Sequence, residues 1–277
     1  MNPKAGSPGQ GLPAFFIIKR KSMHCYRIYP LKTGTIVVDQ GGYVTRGIGL
    51  GKEVEIPGTA WYVTDGRRKI MVDAGMCPTE LADWHHKGSR QDPGEAVHER
   101  LQALGVDPSE IELVILTHLH WDHCHNLDKF SRARFLVHSQ ELAFARDPIP
   151  PYYKSYEHPR LGYLPPYAGI SLETITDEAE ILPGIAIFPT PGHSPGHQSV
   201  AVATEGGVHV IAGDAVFSYA NLVPAGEHLP FTVMGRFSDI VESWHSMEEI
   251  VRRGKVILPG HDMRTMDHPV YPTGTKI

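Results

Sequence analysis

A chain of 277 residues with 41% hydrophobic and 21% charged residues has ordinary globular composition and enough apolar surface for a substantial core, which excludes wholesale disorder. Its formal net charge of −5 provides no cationic field for a phosphate backbone, so no nucleic-acid partner is expected. Three cysteines, Cys25, Cys77 and Cys124, are too few and too scattered for a disulfide framework, and the apolar run over 12–18 is broken by Pro13 and too short to span a bilayer. A cytoplasmic protein without a membrane partner is expected.

Residues 1–22 read as a loose extension, and a single domain is expected over 23–277. Strands are predicted over 24–31, 35–39, 60–64 and 69–73, each apolar or β-branched and bounded by Gly-rich or charged turns. Asp92 and Pro93 open a predicted helix with Val97, Leu101 and Leu104 on one face and Gly105 as its stop. A buried strand follows over 112–117, then a strand over 134–138 and a short helix capped by Ser139. Residues 147–170, dense in proline and tyrosine, form an irregular insert. Strands over 185–188, 199–203 and 208–212 precede a helix over 238–253. Its stripe is Ile240, Val241, Trp244, Met247, Ile250 and Val251. A last strand, 255–258, runs into Pro259-Gly260-His261-Asp262.

The chemistry is concentrated in Thr117-His118-Leu119-His120-Trp121-Asp122-His123-Cys124-His125-Asn126. Four candidate metal ligands, His118, His120, Asp122 and His123, stand within six positions at the end of a buried strand. Neutral imidazoles with a carboxylate suit zinc or a similar divalent cation. Three further candidates follow later strands and neighbour a glycine: His193 after Gly192, Asp214 after Gly213 and His261 after Gly260. Several strand ends bringing ligands to one place is a far more specific pattern than any histidine pair. His197 reads as a supporting residue, His125 as exposed, and Cys124 as packed behind the loop.

On these residues the sequence resembles the metallo-β-lactamase superfamily, whose His-x-His-x-Asp-His motif stands here at 118–123. The resemblance implies an αββα sandwich, two mixed β-sheets flanked by helices, with the site at one edge. It further implies that His118, His120 and His193 hold one metal, that Asp122, His123 and His261 hold a second, and that Asp214 bridges them. The cofactors it implies are two divalent ions, zinc first with iron or manganese as alternatives. Asp73, in Asp73-Ala74-Gly75, matches an Asp-x-Gly that buttresses the site.

Within that family, β-lactamases proper place Cys where this chain has Asp214, and redox diiron members replace a motif histidine that is intact here. Nucleases carry basic arms that this chain lacks. The layout is most similar to the N-acyl homoserine lactonase branch, which implies opening of a lactone or related cyclic ester or amide by hydroxide held between the cations, with Asp122 and Asp214 handling protons. The alternatives are a glyoxalase II-like thiolester hydrolase and a mononuclear iron enzyme of the persulfide dioxygenase kind. One departure stands out. Such lactonases carry a tyrosine three residues after the bridging aspartate, and here Phe217 occupies that place, so either Tyr219 or a tyrosine of the insert supplies the missing donor or the substrate is a different ester, lactone or cyclic amide. The insert itself is expected to serve as a lid or as a homodimer contact.

Overall fold

The computed structural model describes residues 24–273, so the expected N-terminal extension lies outside the described residues. Among the described residues, eleven strands form two mixed sheets. The first has the order β1 (Arg27–Asp39), β2 (Glu53–Thr64), β3 (Lys69–Val72), β4 (Leu113–Ile115), β5 (Arg134–His138) and β6 (Leu172–Ile175). β1, β2 and β3 pair antiparallel, and β3 through β6 run parallel. The second has the order β11 (Val256–Pro259), β10 (Gly207–Gly213), β9 (Gln198–Thr204), β8 (Ile185–Pro189) and β7 (Ala179–Leu182), with β10 and β11 parallel and the rest antiparallel.

Strand alternation builds the layers. In β2, Trp61 and Val63 point into a core shared with Val200, Val202, Ile211 and Leu258 of the other sheet, while Ala60 and Tyr62 point the opposite way. That opposite face is covered by α2 (Val97–Ala103) through Val97 and Leu101 and by α3 (Ser139–Arg146) through Leu142 and Ala145. The outer face of the second sheet, with Val210 and Ala212, packs on Met247 and Ile250 of α4 (Ile240–Arg253). Helix, sheet, sheet and helix form the αββα sandwich that the motif implied.

Several boundaries differ from the sequence reading, each for a physical reason. α2 begins at Val97 rather than at Pro93, because Asp92 to Glu95 close a turn first. α4 begins after Asp239, whose carboxylate caps the amides of Val241 and Glu242. Its stripe is narrower than expected: Met247 and Ile250 are buried, whereas Val241 and Val251 are exposed. α3 is capped by the His138 ring rather than by Ser139. β6, β7 and α1 (Thr79–His85) were not anticipated, being short and only partly apolar. The insert packs inward, with Tyr152, Tyr156 and Tyr167 buried against the α2 and α3 side of the core.

Candidate metal centre

The candidate ligands all sit just past strand ends on one edge of the sandwich. His118 to His123 follow β4, His193 follows β8, Asp214 follows β10 and His261 follows β11. The turns that deliver them leave no room for a side chain at Gly192, Gly213 and Gly260. A Cβ on Gly192 would lie 2.3 Å from the amide nitrogen of Ser243, and one on Gly213, at φ +52°, would lie 2.6 Å from Nε2 of His197.

Asp214 divides its two oxygens between two sets of imidazoles. Oδ2 lies 3.2 Å from Nε2 of His193 and 4.0 Å from Nε2 of His118. Oδ1 lies 3.0 Å from Nε2 of His261 and 3.1 Å from Nε2 of His123. Asp122 Oδ2 stands 3.6 Å from Nε2 of both His123 and His261, and His120 Nδ1 meets His193 Nε2 at 3.0 Å. Three overlapping groups result whose ligand atoms are close enough to share an ion: His118 with His120 and His193, Asp122 with His123 and His261, and, between them, His118 with His123 and Asp214.

Four of the five histidines are anchored through Nδ1. His118 meets the Thr117 hydroxyl at 3.1 Å, His123 the Asp73 carboxylate at 2.8 Å, His193 the Arg236 carbonyl at 2.9 Å and His261 the Pro57 carbonyl at 2.8 Å. Each bond turns the other ring nitrogen toward the centre, which is how proteins orient imidazole ligands. Asp73 also accepts from the Thr117 amide and hydroxyl, and takes a left-handed φ of 62° to do so. His197 accepts from the Asp214 amide through Nε2 and holds the Thr190 hydroxyl through Nδ1.

The donor set fits divalent cations. Nε2 of His118, His120, His123 and His261 and Oδ1 of Asp214 are buried without hydrogen-bond partners, although native interiors leave few such atoms unpaired. Burial holds His118 and His120 well below the usual imidazole range, in the neutral form that ligates metal. Burial opposes charge on Asp214 as well, yet His261, His123 and His193 together hold it well below the usual carboxylate range. Imidazole nitrogens with two carboxylate groups are a borderline N/O set of the kind zinc takes.

A cleft leads outward from this centre, lined by Asp122, Asp214, His120 and His193 at its base and by Ile36, Val38, Ile56, Trp121 and Phe217 on its walls. Phe217 is buried with its ring 4.4 Å from that of His261. Tyr219 is not among the lining residues; its ring lies under Arg264, and its amide donates to Asp262. The insert tyrosines are committed elsewhere: Tyr152 donates to the Phe237 carbonyl, Tyr156 to Glu141 and Tyr167 to the Ala145 carbonyl. The tyrosine that does line the cleft is Tyr43, from the β1–β2 connection, joined there by His86, Ser155 and Arg236. Sequence reasoning missed these four because they belong to separate segments with no motif among them.

Glu141 was missed for another reason: a lone glutamate at a helix start reads as a dipole partner. Here it is fully buried and accepts from the Leu119 amide, the Tyr156 hydroxyl, the Ser194 hydroxyl and the Gly196 amide, tying the His118–His123 loop to the His193 loop and to the insert. His125 is half-buried rather than exposed, and with Cys77 it faces the buried Glu157, which also bonds His85 at 2.8 Å. Cys124 packs behind the loop, donating to the Leu119 carbonyl. No helix among the described residues is long and apolar enough to cross a membrane.

Comparison with known proteins agrees with this geometry. The metallo-beta-lactamase superfamily model matches residues 54–269. The N-acyl homoserine lactonase AiiA of Bacillus thuringiensis subsp. kurstaki is 25% identical over 254 residues, covering 86% of this chain and 93% of that protein. The lactonase AttM of Azorhizobium caulinodans is 25% identical over 260 residues, covering 85% and 93%. In fold, the chain is similar to a crystal structure of a quorum-quenching N-acyl homoserine lactone lactonase, with TM-score 0.68, 24% identity and coverage of 86% and 92%. It is also similar to AidC, a dizinc quorum-quenching lactonase, with TM-score 0.65, 16% identity and coverage of 86% and 87%. The chain belongs to the metallo-β-lactamase superfamily and is a metal-dependent hydrolase of it.

Proposed function

We propose that this chain is a dinuclear hydrolase that opens a lactone or related cyclic ester or amide. His118, His120 and His193 would hold one cation, Asp122, His123 and His261 the other, and Asp214 would bridge them. The observation that carries this reading is the division of Asp214 described above, with one oxygen toward each imidazole set. Zinc is the cation that the donor set favours, and the relatives named as lactonases support the substrate class.

Divalent ions bound there supply Lewis-acid polarisation of a carbonyl and lower the pKa of a coordinated water. The chain's own residues do the rest. Asp214, held ionised by its histidine neighbours, and Asp122, at the floor of the cleft, are the bases placed to accept the proton released on attack and return it to the leaving oxygen. Ile36, Val38, Ile56, Trp121 and Phe217 wall the cleft with apolar surface, excluding bulk water from the reacting carbonyl.

A panel of lactones, thiolesters and cyclic amides on zinc-loaded protein, read by product mass, tests the reading together with metal analysis. Two metals per chain with lactone turnover is the expected result. Turnover of S-acyl glutathione alone would favour the thiolesterase reading. A single iron with oxygen consumption would overturn hydrolysis.

A further inference from the structure

Outside the metal centre the cleft widens into a second chamber of about 260 Å³ that shares Tyr43, His86, Trp121, Ser155 and Arg236 with the inner one and adds Lys154. No aspartate or glutamate lines it. In a chain with a net charge of −5 this outer chamber therefore has the opposite local sign.

Its two cations have no carboxylate partner among the described residues. Arg236 is held in place by neutral groups: Nη2 donates to the Ser155 hydroxyl at 3.1 Å, and the guanidinium carbon lies 4.3 Å from the Tyr152 ring centroid. Lys154 Nζ lies 4.9 Å from the Trp84 ring centroid. An arginine stacked on an aromatic face, with most of its five donors free, is pre-oriented for an oxyanion. The Arg236 carbonyl also anchors His193, so the same residue joins the chamber wall to the metal-ligand cluster. Ser155 and Lys154 both come from the proline- and tyrosine-rich insert, which gives that segment a role in selection through its polar residues while its tyrosines pack in the core.

We propose that the substrate carries an anionic oxygen group, a carboxylate or a phosphate, which Arg236 and Lys154 hold in the outer chamber while the scissile carbonyl meets the metal-ligand cluster. This rests on the hydrolase reading above only for the direction of the substrate; the anion site stands on the chamber's own residues. Trp121 and Tyr43, between the two ends, supply the apolar contact for the part of the substrate that joins them.

The test is calorimetric binding to the metal-loaded protein of phenylacetate and phenyl phosphate, with 2-phenylethanol as the uncharged control. At least one anion is expected to bind more tightly than the alcohol, and the tighter of the two identifies the group. Arg236→Met should weaken that anion by about tenfold or more, and Lys154→Met by about threefold, with alcohol binding and metal content unchanged. Because Lys154 is exposed, its variant keeps the test intact if Arg236→Met does not fold. Anion affinity equal to that of the alcohol, or unchanged by both substitutions, would overturn the proposal. Turnover is not the readout, so failure of the lactone panel and failure of this anion site are separate results.

Discussion

Oδ2 of Asp73 lies 2.8 Å from Nδ1 of His123, and the same carboxylate receives the amide and the hydroxyl of Thr117. Asp73 thus fixes both the start of the ligand loop and the ring orientation of one of its histidines without reaching the centre itself. Asp73→Ala should lower metal affinity by about 10- to 100-fold, as removal of a ligand's supporting partner typically does. It also strands two buried donors of Thr117 at a stability cost of about 1–3 kcal/mol. Chelator competition and thermal melts measure the two effects separately. Unchanged metal affinity would remove Asp73 from any positioning role.

Asp214 faces both imidazole sets, so its loss should be felt at both. Asp214→Ala is expected to abolish turnover and reduce bound metal below two per chain, and His118→Ala to do the same while removing only one imidazole. Elemental analysis of the purified variants checks this. Full activity in Asp214→Ala would contradict the bridging arrangement.

Phe217 presents a ring with no donor beside His261. Phe217→Tyr places a hydroxyl at the wall of the cleft and should change kcat/KM among lactones by about tenfold, the scale of one hydrogen bond made in the transition state. Metal content should stay constant. Altered metal stoichiometry with an unaltered substrate profile would mean that the ring serves the metal cluster rather than the substrate.

Glu157 is buried beside His85, His125 and Cys77, with no lysine or arginine ion-paired to it among the described residues. Burial pushes its carboxyl up to about 7, and burial pushes His85 down to about 3, so between these values His85 is neutral and Glu157 carries the proton. A carboxyl whose pKa is raised by folding adds stability that is whole below its unfolded pKa and is lost as pH rises through about 7. Glu157→Gln, which cannot ionise, should therefore gain in melting temperature relative to the parent by a few degrees between mildly acidic and mildly alkaline pH. A constant difference across that range would show that Glu157 does not titrate there.

Glu141 collects four donors from three segments. An amide in its place has one acceptor oxygen instead of two, so Glu141→Gln should cost about 3 kcal/mol, with the pair of donors on the replaced oxygen left unpaired: Leu119 and Tyr156, or Ser194 and Gly196. Denaturant titration reads the loss. A change within error would mean that water replaces the missing acceptor.

The candidate ligand cluster was legible because its information is local. His118-x-His120-x-Asp122-His123 is contiguous, and His193, Asp214 and His261 each follow an apolar strand and a glycine, a pattern visible without coordinates. β5 was read to its limits, and the strands around the core were located, since period-2 alternation reports burial directly. Short, half-exposed elements such as β6, β7 and α1 carry too little of that signal.

What the amino-acid order determined by itself was the chemistry: which side chains can bind metal, and that they stand at strand ends. What only the tertiary structure decided was their partners and the shape around them. Asp73 and His123 are fifty positions apart, Arg236 and Ser155 eighty-one, and no periodicity links such pairs. Which tyrosine lines the cleft was likewise a matter of packing. Tyr219 and the insert tyrosines are drawn into other contacts, and Tyr43, from a different sheet edge, lines the cleft. Ligand identity is a property of residue type, whereas orientation and access depend on contacts between distant segments that exist only once the two sheets have closed on one another.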